Sequence, residues 1–169
     1  LLSGFSSLMA GINRPSGQDA WWDVEPEDEK PASQYDSILY SEIGPKLREI
    51  ITTSNRVRVD VTGQSAGGRN LFLVTVSAPE AMGVLGKYQA ISQTMLEDPD
   101  KAIDMIERFG DFKVPFFVNA SIHGDEYPGT DAAMRLIETL AYDDRSEVKA
   151  ILENVIFLVN VVQNPDGRV

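Results

Sequence analysis

Residues 113–142 read KVPFFVNASIHGDEYPGTDAAMRLIETLAY, and the fold turns on how this stretch is divided. Lys113–Ser121 is a short apolar run rich in β-formers, which reads as a strand buried on both faces. From Pro128 to Tyr142, Ala132, Ala133, Leu136, Ile137 and Leu140 recur at helical spacing, and Pro128 is acceptable in a first turn. A strand that runs through a polar loop into a helix is the opening of a parallel βαβ unit. NVIFLVNVV at Asn154–Val162 supplies its second fully buried strand.

Upstream, Pro79–Gly110 holds two helical patterns, Leu85–Leu96 and Lys101–Phe109, separated by Asp98-Pro99, where the proline can open the second helix. RVRVDVTG alternates through Val57, Val59 and Val61, and NLFLVTVSA at Asn70–Ala78 is a further strand. The Gly- and Ser-rich Gln64–Arg69 between them makes the pair an antiparallel hairpin. Before it, Tyr35, Ile38, Leu39, Ile43, Leu47, Ile50 and Ile51 give Ser33–Ser54 helical spacing, with Gly44-Pro45 expected to break or kink it. The order helix, hairpin, helices, strand, helix, strand specifies an α/β fold whose sheet begins antiparallel and turns parallel.

Residues 1–33 read as an N-terminal extension and 34–169 as the domain. Asn13–Ser33 carries Pro15, Pro26 and Pro31 and the acidic cluster Asp23, Glu25, Glu27, Asp28 and Glu29 without periodicity. Trp21 and Trp22 are expected to pin this arm to the domain surface. Leu1–Asn13 is uncharged and lacks the basic start of a signal peptide; it reads as a loose end, with the tail of a removed leader as the alternative.

At 169 residues, 43% hydrophobic and 24% charged, the composition is that of one globular domain. A formal charge of −11 repels phosphate backbones, so nucleic acid is excluded as an expected partner. No apolar stretch has the ~18 residues a membrane-spanning helix needs. There is no Cys, which removes disulfides, thiolate catalysis and Cys-based metal sites from consideration within these residues. The single imidazole is His123.

His123-Gly124-Asp125-Glu126 lies where a parallel strand gives way to a helix, the position at which open α/β sheets bind ligands. His and Glu three apart in a turn or helix project to one side, and imidazole nitrogen with carboxylate oxygen suits zinc. Gly124 would let backbone crowd a metal with no Cβ in the way. The same four residues also suit a capping loop, with Asp125 or Glu126 favoured by the helix dipole.

Two further stretches complete a pattern. GQSAGGR at Gly63–Arg69 resembles the G-x-S-x-x-G-R turn of the zinc carboxypeptidases, HGDE resembles their H-x-x-E zinc pair, and NPDG at Asn164–Gly167 follows a buried strand as in that family. The resemblance covers about Ser33–Val169, with Pro79–Gly110 longer than the corresponding connection in compact members. It implies a mixed, mostly parallel sheet with helices on both faces, and His123 and Glu126 as two of three protein ligands to a catalytic zinc. It also implies a downstream Glu as general base and the C-termini of peptides or proteins as substrates. Ser65, Gly68 and Arg69 read as turn and hairpin residues, and Asp166 as structural. Asp125 stands where pancreatic members have Arg, so their basic subsite contact is not expected.

The family's substrate-carboxylate arginines, third zinc ligand, specificity-pocket Tyr and general-base Glu have no match up to Val169. The expectation is therefore an incomplete catalytic domain that requires a C-terminal half. These 169 residues alone would show no peptidase activity and only weak zinc affinity. In the family's sheet the strand at Lys113–Ser121 is interior, so its open side is expected to drive association through Val114–Ser121. A secreted or extracytoplasmic location is the expectation for the compartment. The competing readings are an acyl-amino-acid deacylase of the succinylglutamate desuccinylase and aspartoacylase type, which shares an HG-x-E loop, and a non-catalytic binding module on the same fold. GQSAGGR and NPDG favour the peptidase.

Overall fold

The computed structural model describes residues 37–169. The extension Leu1–Ser33, including Trp21 and Trp22, lies outside the described residues, as does the first part of the helical pattern that begins at Ser33. Six helices and four strands follow in the described chain: α1 Tyr40–Thr53, β1 Val57–Gln64, β2 Asn70–Val76, α2 Pro79–Met82, α3 Leu85–Glu97, α4 Pro99–Phe109, β3 Val114–Asn119, α5 Tyr127–Tyr142, α6 Ser146–Asn154 and β4 Val155–Asn160.

The strands form one sheet in the order β1-β2-β4-β3. β1 and β2 make the expected antiparallel hairpin, with a register shift between Val61 and Gly63. β2 and β4 are antiparallel as well, and β3 and β4 are parallel, with Phe116 opposite Phe157 and Asn119 opposite Asn160. The α/β class and the mixed sheet are as the sequence implies. Within the described residues, parallel pairing is confined to β3 and β4.

Side-chain alternation sends each strand's residues to two faces, and helices cover both. On one face Phe72, Val74, Val76 and Val159 pack with Ile43, Leu47 and Ile50 of α1, Met134, Ile137 and Leu140 of α5, and Val148 and Leu152 of α6. On the other, Ile156 and Leu158 meet Ala81, Leu85 and Tyr88 of α2 and α3. Phe72 is fully buried and its ring stacks on Tyr40 at 6.4 Å. Phe72→Ala is therefore expected to cost about 3–5 kcal/mol, a large share of the ~5–15 kcal/mol that holds a typical domain together. A urea midpoint unchanged from that of the parent chain would contradict this placement.

Four elements depart from the sequence reading, one of them the short helix α2, which precedes the two helical patterns read in Pro79–Gly110. Helix α1 runs through Pro45 without a break. The proline is exposed near the helix start, and burial of Ile43, Leu47 and Ile50 outweighs its cost of about 3 kcal/mol. Helix α6 was not anticipated; its Val148 and Leu152 are buried four residues apart. β3 is not buried on both faces: it is an edge strand, with Val114, Phe116 and Phe117 between 54 and 60% exposed.

Polar side chains close the helix ends that flank the sheet. Pro99 opens α4 as expected, with the Asp98 carboxylate accepting from the Lys101 N–H at 3.1 Å. The nearly buried Lys113 ammonium donates to the carbonyls of Leu152 and Glu153 at the end of α6, and Arg56 donates to the Asp143 carbonyl just past α5 at 2.9 Å. No helix among the described residues is long and apolar enough to cross a membrane.

Candidate metal centre

Beyond β3 the chain turns sharply. The Ala120 N–H still donates to the Asn160 carbonyl at 3.0 Å, and Ser121 then takes a positive φ of 48°. A non-glycine residue in that region is held there by its surroundings. The Ser121 hydroxyl donates to the Glu126 carbonyl at 2.8 Å and lies 2.9 Å from the Thr130 hydroxyl. Thr130 is fully buried and donates to the Val161 carbonyl at 3.2 Å, which anchors α5 to the chain beyond β4. Gly129 leaves room for this turn, since a Cβ there would lie 3.0 Å from the Ser121 nitrogen.

On this base His123–Glu126 forms a turn, with the Glu126 N–H donating to the His123 carbonyl at 3.2 Å. Glu126 folds back so that one carboxylate oxygen accepts from the His123 N–H at 3.0 Å. The other oxygen lies 2.9 Å from the ring Nδ1. Hydrogen bonding to Glu126, and then its charge, raises the His123 pKa above the ordinary imidazole value, and the same hydrogen bond lowers that of Glu126. Both side chains are substantially exposed, at 72% and 49%. Asp125, between them, is exposed.

This arrangement fits a metal in its donor chemistry. An imidazole nitrogen and a carboxylate oxygen, both reachable from solvent, are zinc donors by type, and here they are hydrogen-bonded to each other at 2.9 Å, closer than the ~3.3 Å between two donors on one tetrahedral ion, so a metal would replace that bond. No group of three or more His, Cys, Asp or Glu side chains suited to a metal exists among the described residues.

The other two motifs converge on the same loop. Within GQSAGGR the Ser65 N–H donates to the Arg69 carbonyl at 2.8 Å, and Gly68 adopts a φ of 80° that closes the turn. Asp166 of NPDG is gripped by this turn: it accepts from the Ser65 hydroxyl at 2.6 Å, the Gly67 N–H at 3.0 Å and Arg69 Nη1 at 2.9 Å. The Ser65 hydrogen bond leads in holding the Asp166 pKa below the usual carboxylate range, with Gly67 and Arg69 adding to it. Ser65 and Arg69, read from the sequence as turn residues, thus also bind across the molecule.

Gly124 serves a different purpose from the one inferred from sequence. The space its side chain would take is filled by protein backbone: a Cβ there would fall 1.9 Å from the Gly167 carbonyl carbon and 2.4 Å from the Arg168 nitrogen. The glycine lets the HGDE and NPDG loops cross in direct contact. Arg168 follows, nearly fully buried, with its guanidinium 4.7 Å from the Tyr127 ring centroid and donating to the Ile38 carbonyl. Sequence reasoning passed over Arg168, Ser121 and Thr130; the one local signal was a hydroxyl placed at each end of the HGDE turn.

A sequence model of the zinc carboxypeptidase family matches residues 46–169. Among solved structures, that of thrombin activatable fibrinolysis inhibitor superposes with a TM-score of 0.58 at 15% identity, covering 82% of this chain and 29% of that one. Bovine thrombin-activatable fibrinolysis inhibitor in complex with tick carboxypeptidase inhibitor gives 0.53 at 15% identity, with 78% and 32% covered. A metallo-carboxypeptidase from Burkholderia cenocepacia gives 0.54 at 19% identity, with 78% and 28% covered. The comparison with curated protein sequences found no match. The chain thus spans about three tenths of the length of the solved structures it resembles in fold.

Proposed function

Because the chain belongs to the zinc carboxypeptidase family, we propose that the protein containing it is a zinc-dependent carboxypeptidase that hydrolyses the C-terminal peptide bond of peptides or proteins. The observation that carries this reading is the meeting of His123 Nδ1 and Glu126 at 2.9 Å, solvent-facing, beyond the carboxyl end of the parallel pair β3 and β4.

In this proposal His123, as neutral imidazole, and Glu126, as carboxylate, supply two of the protein ligands. When bound, zinc lowers the pKa of a coordinated water and polarises a carbonyl. Ser121 and Thr130 keep the turn rigid so that the two donors stay directed outward. The third ligand, the general base and the groups that read the substrate's terminal carboxylate are proposed to come from residues other than these.

Mass-spectrometric analysis of peptides incubated with the full-length protein tests the proposal. Release of single residues from the C-terminus, lost on chelation and restored by zinc, is the expected result. Activity indifferent to chelation, or cleavage confined to N-acyl amino acids, would overturn it. The second outcome would select the deacylase reading instead.

A further inference from the structure

We propose that Asp166 is a positioning residue for the His123–Glu126 pair, acting through the backbone contact of Gly167 with Gly124. The inference rests on the zinc reading above and adds to it a support that joins all three motifs. The chain of contacts is continuous. Ser65, Gly67 and Arg69 bind the Asp166 carboxylate. The adjacent Gly167 lies against Gly124 so closely that no side chain fits on Gly124. Gly124 is bonded to His123, whose N–H and ring both engage Glu126.

Each link also shows why its residue types are needed. A Cβ on Gly67 would lie 2.3 Å from Arg69 Nη1 and 2.6 Å from Asp166 Oδ1, so that glycine keeps the β1–β2 turn in reach of the carboxylate. The Gly167 N–H donates to Asn164 Oδ1 at 3.1 Å, and the Arg168 N–H to the Pro165 carbonyl at 3.2 Å, which fix the shape of the NPDG turn. The Asn164 N–H donates to the Ser121 carbonyl at 3.3 Å, a second tie between the NPDG loop and the turn that carries His123. Packed backbones transmit small displacements, because neither loop has free volume into which to yield. With Asp166 released, the peptide joining residues 167 and 168 is free to shift, and the ring of His123 loses the surface that sets its loop.

The full-length protein, loaded with zinc or with cobalt(II) as a spectroscopic substitute, provides the test. Asp166→Ala and Gly124→Ala are each expected to weaken zinc binding about 10- to 100-fold in chelator competition and to alter the visible absorption of bound cobalt. Asp166→Asn, which keeps the size of the side chain but not its charge or its acceptor for the Gly67 N–H, is expected to fall between Asp166→Ala and the parent. The double variant should lose no more than the worse single one, since both interrupt one path. Val76→Ala, in the core of β2, controls for stability and should lower the melting temperature without moving the cobalt spectrum. Parent-like zinc affinity and cobalt spectrum in both Asp166 variants would overturn the proposal, as would losses in Val76→Ala that match theirs. Metal retained by His123→Ala would overturn the zinc reading itself, so the two failures are distinguishable.

Discussion

Replacing His123 with Ala in the full-length protein is expected to abolish stoichiometric zinc binding and to lower peptidase activity roughly a thousand-fold or more. A bound metal contributes several kcal/mol to such a reaction, and each ~1.4 kcal/mol is about tenfold in rate. The effect should be severe because His123 is the single imidazole in these 169 residues and there is no Cys to take its place. Glu126 and the proposed third ligand would then offer two protein donors where a catalytic zinc takes three. Asp125→Ala is the matched control. Asp125 is exposed and lies one residue from Glu126, and it acts on the pair only through its charge, which adds to the hydrogen bond and charge of Glu126 in raising the His123 pKa. It should keep both metal and activity, so loss of one acidic charge near the site is separated from loss of a ligand. Metal analysis after gel filtration, read beside the rate of C-terminal residue release, decides the matter. A His123 variant that retains zinc would show that the ion is held elsewhere.

The fold was legible where local pattern and tertiary burial agree. The alternation Val57, Val59, Val61 fixed the first strand of the hairpin, and Asp98-Pro99 marked the start of α4 at the right residue, because capping and proline geometry are local physics. Pro45 misled for a tertiary reason: the penalty it carries is real, but three buried aliphatic residues on one face of α1 exceed it. The apolar run Val114–Val118 looked like a doubly buried strand since composition cannot report whether a neighbour exists on each side. In the described chain one side of β3 is open.

The pairing of His123 with Glu126 was legible for a similar local reason: a His and a Glu three apart in a turn are brought together by the backbone itself. The Asp166 network was not. Its partners Ser65 and Arg69 lie 101 and 97 residues away, and only the sheet order that sets β2 beside β4 brings their turns together. Gly124 was noticed as a place of close approach but matched to the wrong neighbour. A glycine signals that something must come near, and only the fold says what.

At roughly 10–50 μM, a range in which exposed strand edges commonly associate, the 169-residue chain on its own is expected to self-associate through β3, and Phe117→Lys is expected to return it to monomer. Alternation from the Ala120 N–H, which donates toward β4, turns the main-chain groups of Phe117 and Asn119 to the open side. Pro115 removes one donor from that edge and is the single guard there among the described residues. Lys113, the nearest cation in sequence, is committed to the carbonyls of α6 and gives no charge to the edge. The opposite edge, β1, differs: it bears Arg58 and Asp60, paired at 2.9 Å, and an irregularity after Val61, the features that discourage strand addition. With one guarded edge and one open, like pairs with like, and two β3 strands running antiparallel about a two-fold axis form a closed dimer rather than a fibre. Sedimentation velocity across this concentration range distinguishes the outcomes. A cooperatively unfolding monomer for the parent chain would show that Pro115 alone suffices, whereas association undiminished in Phe117→Lys would place the contact on another surface.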